Sequence, residues 1–263
     1  MKEGGNKENI NQRIAYDFYE AVEVYLRNKV EDKDSEYYSQ NIHVSSLDTC
    51  ERQVVYEYFK FPKRKRSLAE LITLDVGTYL HSVVDSALKF SNKFEVIGNE
   101  FKLTDGLPDM FSGKCDNIII HKSTKKKILQ DTKSVRANAF KFGLDKLVKE
   151  SYKKQLNTYL YALTKMGIDI DLLLITIFDR GGSNTPYITE VEKRELKDSD
   201  KLFEKYSKAV IEYETNKILP PMLDEIFDRD KYWQCRYCLF QGVTCPQILK
   251  DKNSKGNKKW KTR

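Results

Sequence analysis

The sequence predicts one α/β domain with a helical N-terminal lobe, a central group of strands flanked by helices, and a C-terminal metal knot. Three observations carry that reading. Apolar residues recur at helical spacing along much of the first ninety residues and again after the middle of the chain. Between them lie short runs rich in β-branched and aromatic residues. Near the end, "CRYCLFQGVTC" places Cys235, Cys238 and Cys245 within eleven residues. With 263 residues, 40% of them apolar and 12% aromatic, the chain can build a substantial core.

Residues 1–9 read as a disordered start, 10–249 as the domain and 250–263 as a basic disordered tail. Within the domain, 10–92 form the helical lobe, 93–193 the catalytic core, and 194–249 a helix with the cysteine cluster. Ile14, Phe18, Val22 and Leu26 mark a first helix over residues 14–30. "SSLDTCERQVVYEYF" predicts a second, with Ser45 or Ser46 as N-cap. "KFPKRKRS" is a basic break with Pro62 at the boundary. "SLAELITLDVGTYLHSVVDSALKF" predicts a long helix, bent near Gly77. "FEVIGNEFKL", "MFSGKCDNIII" and "KKILQDTKSV" predict strands, with "HKSTKK" as the hairpin turn between the last two. "LVKESYKKQLNTYLYALTKMG" is an amphipathic helix ending at Gly167, a natural C-cap. "DIDLLLITIFD" suits a buried strand and "PYITEVE" a half-exposed one. "ELKDSDKLFEKYSKAVIEYETNK" predicts a charged surface helix, ended by Pro220 and Pro221.

Charged residues make up 32% of the chain, and the net charge is +7. A basic surplus points toward an anionic partner such as nucleic acid, though many basic proteins bind none. No apolar run reaches the roughly 18 residues of a membrane span. The polar start lacks a signal peptide's apolar core, so a cytoplasmic protein without a membrane partner is expected. Five cysteines in a reducing compartment argue against a disulfide framework and favour metal ligation by the clustered three.

The densest chemistry sits on the hairpin. Asp131 and Lys133 are two apart and share a strand face. A turn centred on Ser123 and Thr124 sets Asp116 opposite Asp131, with Cβ atoms about 5 Å apart. Carboxylates that close repel unless a cation lies between them. An oxygen-rich pair with an open side suits Mg²⁺, and Lys133 beside it can hold a water or stabilise charge on a phosphate. Taken alone, D-x-K is common on solvated hairpins. The flanking Ile118, Ile119, Ile120, Ile128 and Leu129 imply a buried sheet, where an acid pair is far less ordinary.

"GTYLHSVVD", "SGKCDNIII", "ILQDTKSV" and "QLNTYLYAL", in this order and spacing, resemble the PD-(D/E)XK nuclease superfamily. The likeness is strongest to its RecB-like exonuclease branch, which includes the nuclease domains of RecB and AddB and CRISPR-associated exonucleases. It runs from about residue 45 to 246. It implies a restriction-endonuclease-like core with a central mixed β-sheet. It also implies an Mg²⁺ or Mn²⁺ site formed by His81, Asp116, Asp131 and the Thr132 carbonyl, with Lys133 as the catalytic lysine. Gln155 and Tyr159 match the branch's Gln-x-x-x-Tyr motif. Four apart on a helix, they share a face from which to steady the lysine or the substrate. Cys115 stands where the superfamily often has a proline, which RecB-like nucleases commonly lack too. Glu100, on the preceding strand, is a candidate support for the site.

The same branch often carries an iron–sulfur cluster held by one upstream cysteine and three downstream ones. That pattern falls on Cys50, Cys235, Cys238 and Cys245. Four thiolates suit [4Fe–4S] or Zn²⁺; the spacing cannot choose, and the resemblance favours iron–sulfur. Arg52 and Arg236 would offset the thiolate charge. Such a centre would staple the two flanks of the core together. The odd thiol, Cys115, reads as a small core residue.

The resemblance implies a metal-dependent DNA exonuclease acting from single-stranded or frayed ends. The basic segment 60–66, the basic tail and Tyr79 are candidate DNA contacts. Protein partners would belong to recombination, CRISPR adaptation or phage replication. The alternatives are a DNA-end binding or assembly subunit with conditional or no nuclease activity, and a zinc-stapled scaffold. No G-x-x-x-x-G-K-[ST] loop is present, so helicase coupling would come from another chain.

Overall fold

The computed structural model describes residues 18–29, 41–222, 234–235, 237–245, 248–250 and 260–262. The expected disordered start, the ends of the first expected helix, Arg236 and most of the basic tail lie outside the described residues. The chain divides into two compact units, residues 1–39 with 66–76 and residues 40–65 with 77–263. The division falls between residues 76 and 77.

In the smaller unit, residues 18–29 form helix α1. The first turns of α3 (Leu68–Phe90) lie beside it. Arg27 donates to the Arg66 carbonyl at 3.1 Å, Lys29 pairs with Asp75, and Leu26 and Leu71 are buried. Ser67 and Glu70 form a reciprocal capping box at the start of α3, with backbone–side-chain bonds of 2.8 and 3.3 Å.

The larger unit is built on a five-stranded sheet. Its strands are β2 (Phe94–Lys102), β4 (Lys114–His121), β5 (Lys127–Val135), β6 (Leu172–Asp179) and β7 (Tyr187–Val191), in the spatial order β2-β4-β5-β6-β7. Only β5 and β6 run parallel, so the sheet is mixed. A parallel pair needs a crossover, and α4 (Glu150–Lys165) supplies it. The helix stops at Met166, and Gly167 follows at φ +75°. Leu129, Leu156, Leu163, Leu173, Ile175 and Ile177 form the buried centre with Tyr206 of α5 (Leu196–Asn216).

Helix α2 (Glu51–Tyr58) begins later than expected, with Cys50 rather than Ser45 or Ser46 at its cap. The serine pair is drawn into a 3₁₀ turn over Val44–Ser46, and Asp48 takes a left-handed φ of 71° before the helix. That irregular stretch is pinned by Tyr206, whose hydroxyl donates to the Thr49 carbonyl at 2.9 Å. Near it, Ile42–His43 (β1) pairs in parallel with Phe111–Ser112 (β3). Part of the tail expected to lack regular structure forms an antiparallel pair, β8 (Ile248–Lys250) with β9 (Trp260–Thr262).

The basic break holds the cysteine-rich loop in place. Arg64 N donates to the Leu239 carbonyl at 2.8 Å, Thr244 Oγ1 donates to the Pro62 carbonyl at 2.7 Å, and Lys63 lies 5.8 Å from the Phe240 ring centre. At Gly106 a Cβ would lie 2.1 Å from the Ala162 carbonyl oxygen, inside the backbone of α4. Gly106→Ala should therefore destabilise the larger unit by about 3 kcal/mol or more, read as a lower urea midpoint at unchanged m-value.

Candidate active site

The site grows from the place where β4 and β5 part. Their ladder runs from Ile120↔Lys127 to Asn117↔Gln130, the register set by the turn read in the sequence. The next rung is Asp116 and Asp131. There the Asp116 side chain takes over a backbone role, its Oδ2 accepting from Thr132 N at 2.7 Å. The same oxygen lies 3.1 Å from His81 Nδ1 on α3. His81, Asp116 and Thr132 are thus gathered at one point from three elements.

Asp131 and Lys133 share a face of β5, as the period of two requires. Lys133 Nζ lies 3.2 Å from Asp131 Oδ1 and 2.9 Å from Oδ2. It also donates to Gln155 Oε1 at 2.9 Å, and Gln155 Nε2 donates to the Tyr159 hydroxyl at 2.6 Å. The i, i+4 pair on α4 therefore orients the lysine, one of the two roles the motif implies. The Tyr152 ring lies 5.4 Å from the ammonium.

Burial dominates the electrostatics. It pushes the Asp131 carboxyl up to about 6 against the pull of Lys133, with Asp116 pushing further up. For Lys133, burial works to strip the proton, but the Asp131 and Asp116 charges outweigh it and hold the ammonium above its ordinary value. Desolvation likewise opposes the charged form of His81, yet its bond to Asp116 keeps the imidazole raised. The lysine and the histidine thus balance two carboxylates that would otherwise repel.

A second set of polar residues, unrecognised in the sequence, lies in the sheet beside these. Asn117 is fully buried and donates to Asp85 Oδ1 on α3 at 2.9 Å and to Gln130 Oε1 at 3.0 Å. It also accepts from Asn99 on β2 at 3.0 Å. Gln130 donates in turn to Thr132 Oγ1 at 3.0 Å and Thr176 Oγ1 at 3.2 Å. The chain crosses four strands and ties α3 to the sheet one turn beyond His81. Its sequence signal was available: amides facing each other inside apolar strands, and an aspartate four residues after the histidine.

Glu100 stands across the β2–β4 ladder beside Asp116, at a left-handed φ of 48°. Its half-exposed carboxylate pairs with Lys114. Cys115 is buried and its thiol is pushed up to about 12, chiefly by burial, so it is an inert core residue.

Cys50, Cys235, Cys238 and Cys245 line one pocket together with Arg52, Gln53, Tyr56, Met222, Gln234 and Gln241. The upstream cysteine and the downstream three are therefore brought together from opposite ends of the chain. Burial raises the thiols of Cys50 and Cys238 above their ordinary values.

Among the described residues, no three His, Cys, Asp or Glu side chains stand in a ready-made metal-holding arrangement. The donor chemistry nevertheless fits a cation at the hairpin. The His81 imidazole and the Asp116 carboxylate meet there, and Asp131 Oδ2 is buried nearby without a hydrogen bond, its contact with Lys133 being one of charge only. The four thiols share one pocket without standing in a metal-holding arrangement.

A mixed sheet with an acid pair and a lysine on its central hairpin defines a class of metal-dependent phosphodiester hydrolases. The family model of the PD-(D/E)XK nuclease superfamily matches residues 86–246, and the chain belongs to that superfamily. No curated protein matches the chain. Among solved structures, that of SSO0001 is similar at TM-score 0.55 and 21% identity, covering 86% of this chain and 96% of the other. The alkaline exonuclease LHK-Exo from Laribacter hongkongensis is similar at TM-score 0.45 and 11% identity, covering 68% and 93%. Its complex with dAMP gives TM-score 0.46 and 10% identity, covering 69% and 96%. No helix among the described residues is long and apolar enough to cross a membrane.

A buried acid with a raised pKa keeps its proton in the folded state where the unfolded chain has released it. In metal-free protein, Asp131 should therefore lower stability as pH rises from about 4 to about 6, by on the order of 2 kcal/mol. Asp131→Asn should remove that part of the pH dependence in urea titrations. Asn117→Ala strands Asp85, Gln130 and Asn99, and should cost about 3 kcal/mol in the same assay.

Proposed function

We propose that this chain is a metal-dependent deoxyribonuclease of the RecB-like branch, an exonuclease acting on single-stranded or frayed DNA ends. The observation that carries the reading is the buried Asp131–Lys133 pair. Gln155 and Tyr159 hold it through hydrogen bonds, and Asp116 with His81 stands on the neighbouring strand and helix. His81, Asp116, Asp131 and the Thr132 carbonyl would hold Mg²⁺ or Mn²⁺. The ion would supply a Lewis acid for the scissile phosphate and lower the pKa of the attacking water. Lys133, kept protonated by Asp131 and aimed by Gln155, orients that water or stabilises the negative charge growing on the phosphate. Asp116 holds the strand end open through Thr132 N. Glu100 supports this corner of the site through its pairing with Lys114. No covalent nucleophile is required.

Two exposed rings support the preference for unpaired bases. Tyr79 is 66% exposed on α3, two residues before His81, and Phe142 is 69% exposed on the segment joining β5 to α4. The four cysteines would hold a [4Fe–4S] cluster as a structural staple, with Zn²⁺ as the alternative occupant. The chain would work in the cytoplasm with partners from recombination, CRISPR adaptation or phage replication.

End-labelled single- and double-stranded DNA incubated with Mn²⁺ tests the reading. The parent should release nucleotides from ends. Asp131→Ala and Lys133→Ala should each lose about a thousandfold or more, and Gln155→Ala about 10–100-fold. A parent that binds DNA ends and cleaves under no divalent ion would support the end-binding alternative instead. Anaerobic purification tests the staple: a brown protein with iron and acid-labile sulfide is expected, and a colourless zinc-loaded one would replace the cluster with zinc.

A further inference from the structure

Beyond Lys133, strands β5 and β6 end side by side with an arginine following each. The last rung is Val135↔Asp179, and Arg180 N then donates to the Val135 carbonyl at 3.0 Å, setting Arg136 next to Arg180. Two cations are thereby placed together by the backbone itself. Burial and then the Arg136 charge press Arg180 below its ordinary value, so the two guanidinium groups repel. Among the described residues neither forms an ion pair or side-chain hydrogen bond.

The nearby acids are committed elsewhere. Asp179 Oδ1 accepts from Gly181 N at 2.8 Å, while its Oδ2 accepts from Ser183 N at 3.0 Å and Asn184 Nδ2 at 2.8 Å, which shapes the following turn. Glu150 pairs with Arg194 at 2.6 Å, and Asp131 with Lys133. The Tyr152 ring faces Lys133 and Lys149 at 5.4 and 5.6 Å. The result is a cationic ledge at the ends of β5 and β6 whose neighbouring carboxylate, Asp179, is turned into the following turn by its hydrogen bonds.

We propose that Arg136 and Arg180 form a phosphate subsite that grips the sugar-phosphate backbone of the substrate strand next to the scissile position. The subsite rests on the reading of this chain as a nucleic-acid hydrolase. Arg136 lies three residues past Lys133, about 10 Å along an extended strand, so its anion is a neighbouring phosphate rather than the one being cut. Planar guanidinium groups suit that task because each can grip two phosphate oxygens at once.

The test is the salt dependence of binding to a fluorescently labelled oligo(dT), with Ca²⁺ in place of Mg²⁺ or Mn²⁺ to suppress cutting. Each phosphate contact on a single strand contributes about 0.7 to the slope of log K against log salt. Arg136→Gln with Arg180→Gln should lower the slope by about 1.4 and weaken binding about tenfold or more at low salt. Arg136→Lys with Arg180→Lys should keep most of the slope. Thermal melting of each variant separates lost contacts from lost folding. An unchanged slope and affinity in the folded glutamine variant overturns the subsite, as does a parent that does not bind oligo(dT). A parent that shows the slope change but never cleaves with Mn²⁺ leaves the subsite standing and removes the hydrolase reading.

Discussion

The candidate site in the larger unit depends on holding Asp131 and Lys133 together where water does not reach. Asp131 is 2% exposed on a central strand, and an isolated carboxylate there would neutralise rather than stay ionised. One ammonium, two residues along the same strand, offsets that cost. The pair works only if both side chains face the same way and the lysine cannot swing off to solvent. The β period fixes the first condition, and Gln155 and Tyr159 of α4 fix the second. The parallel crossover from β5 to β6 is thus more than topology, because it lays the orienting helix directly over the pair. A buried ion pair is weak evidence of stability. Here its value lies in geometry, with a cation and an anion held in one arrangement beside an open strand end.

Much of this was legible in the sequence because local rules determined it. The turn at Ser123–Thr124 fixes a register that puts Asp116 and Asp131 on one rung, and the i, i+4 spacing puts Gln155 and Tyr159 on one helix face. Gly167 marks the end of α4 because its φ of +75° suits glycine. The misses were set by tertiary contacts. Nothing local moves the α2 cap from Ser46 to Cys50; the Tyr206 hydroxyl, reaching from α5 to the Thr49 carbonyl, holds the intervening turn. The basic stretch from Lys60 to Arg66 reads as a break and a candidate DNA contact, and nothing local shows that its backbone anchors the cysteine-rich loop. The contact between Gly106 and the Ala162 carbonyl has no sequence signature beyond the glycine itself.

Helix α3 shows how a position can be held without a large apolar interface. Within the larger unit, His81 and Asp85 lie one turn apart and reach adjacent residues of β4, Asp116 and Asn117. Adjacent strand residues point to opposite sides, so the helix is fixed at two points that differ in direction. Sliding the helix along the strand would break both bonds. Rotating it would leave a fully buried amide unpaired, at a cost of about 1–3 kcal/mol. The amide chain from Asn99 to Thr176 extends that hold across four strands. The imidazole is consequently set by the sheet rather than by helix packing alone.

The charge balance of the hairpin also explains why the lysine has two partners. Asp131 compensates Lys133 electrostatically, while Gln155 holds it by a neutral hydrogen bond. A cation drawn to Asp131 would weaken the first interaction and leave the second intact. A lysine with only the carboxylate for company would then be expelled toward water by like-charge repulsion. With the Gln155 amide and the Tyr152 ring still in reach, the ammonium would keep its place at the end of the hairpin. The side chain of Gln155 is in turn fixed by Tyr159, which is 3% exposed and cannot exchange that bond for water. The buried tyrosine thereby acts on the chemistry through two intermediaries, so the motif on α4 carries a polar residue at each of its two positions rather than one.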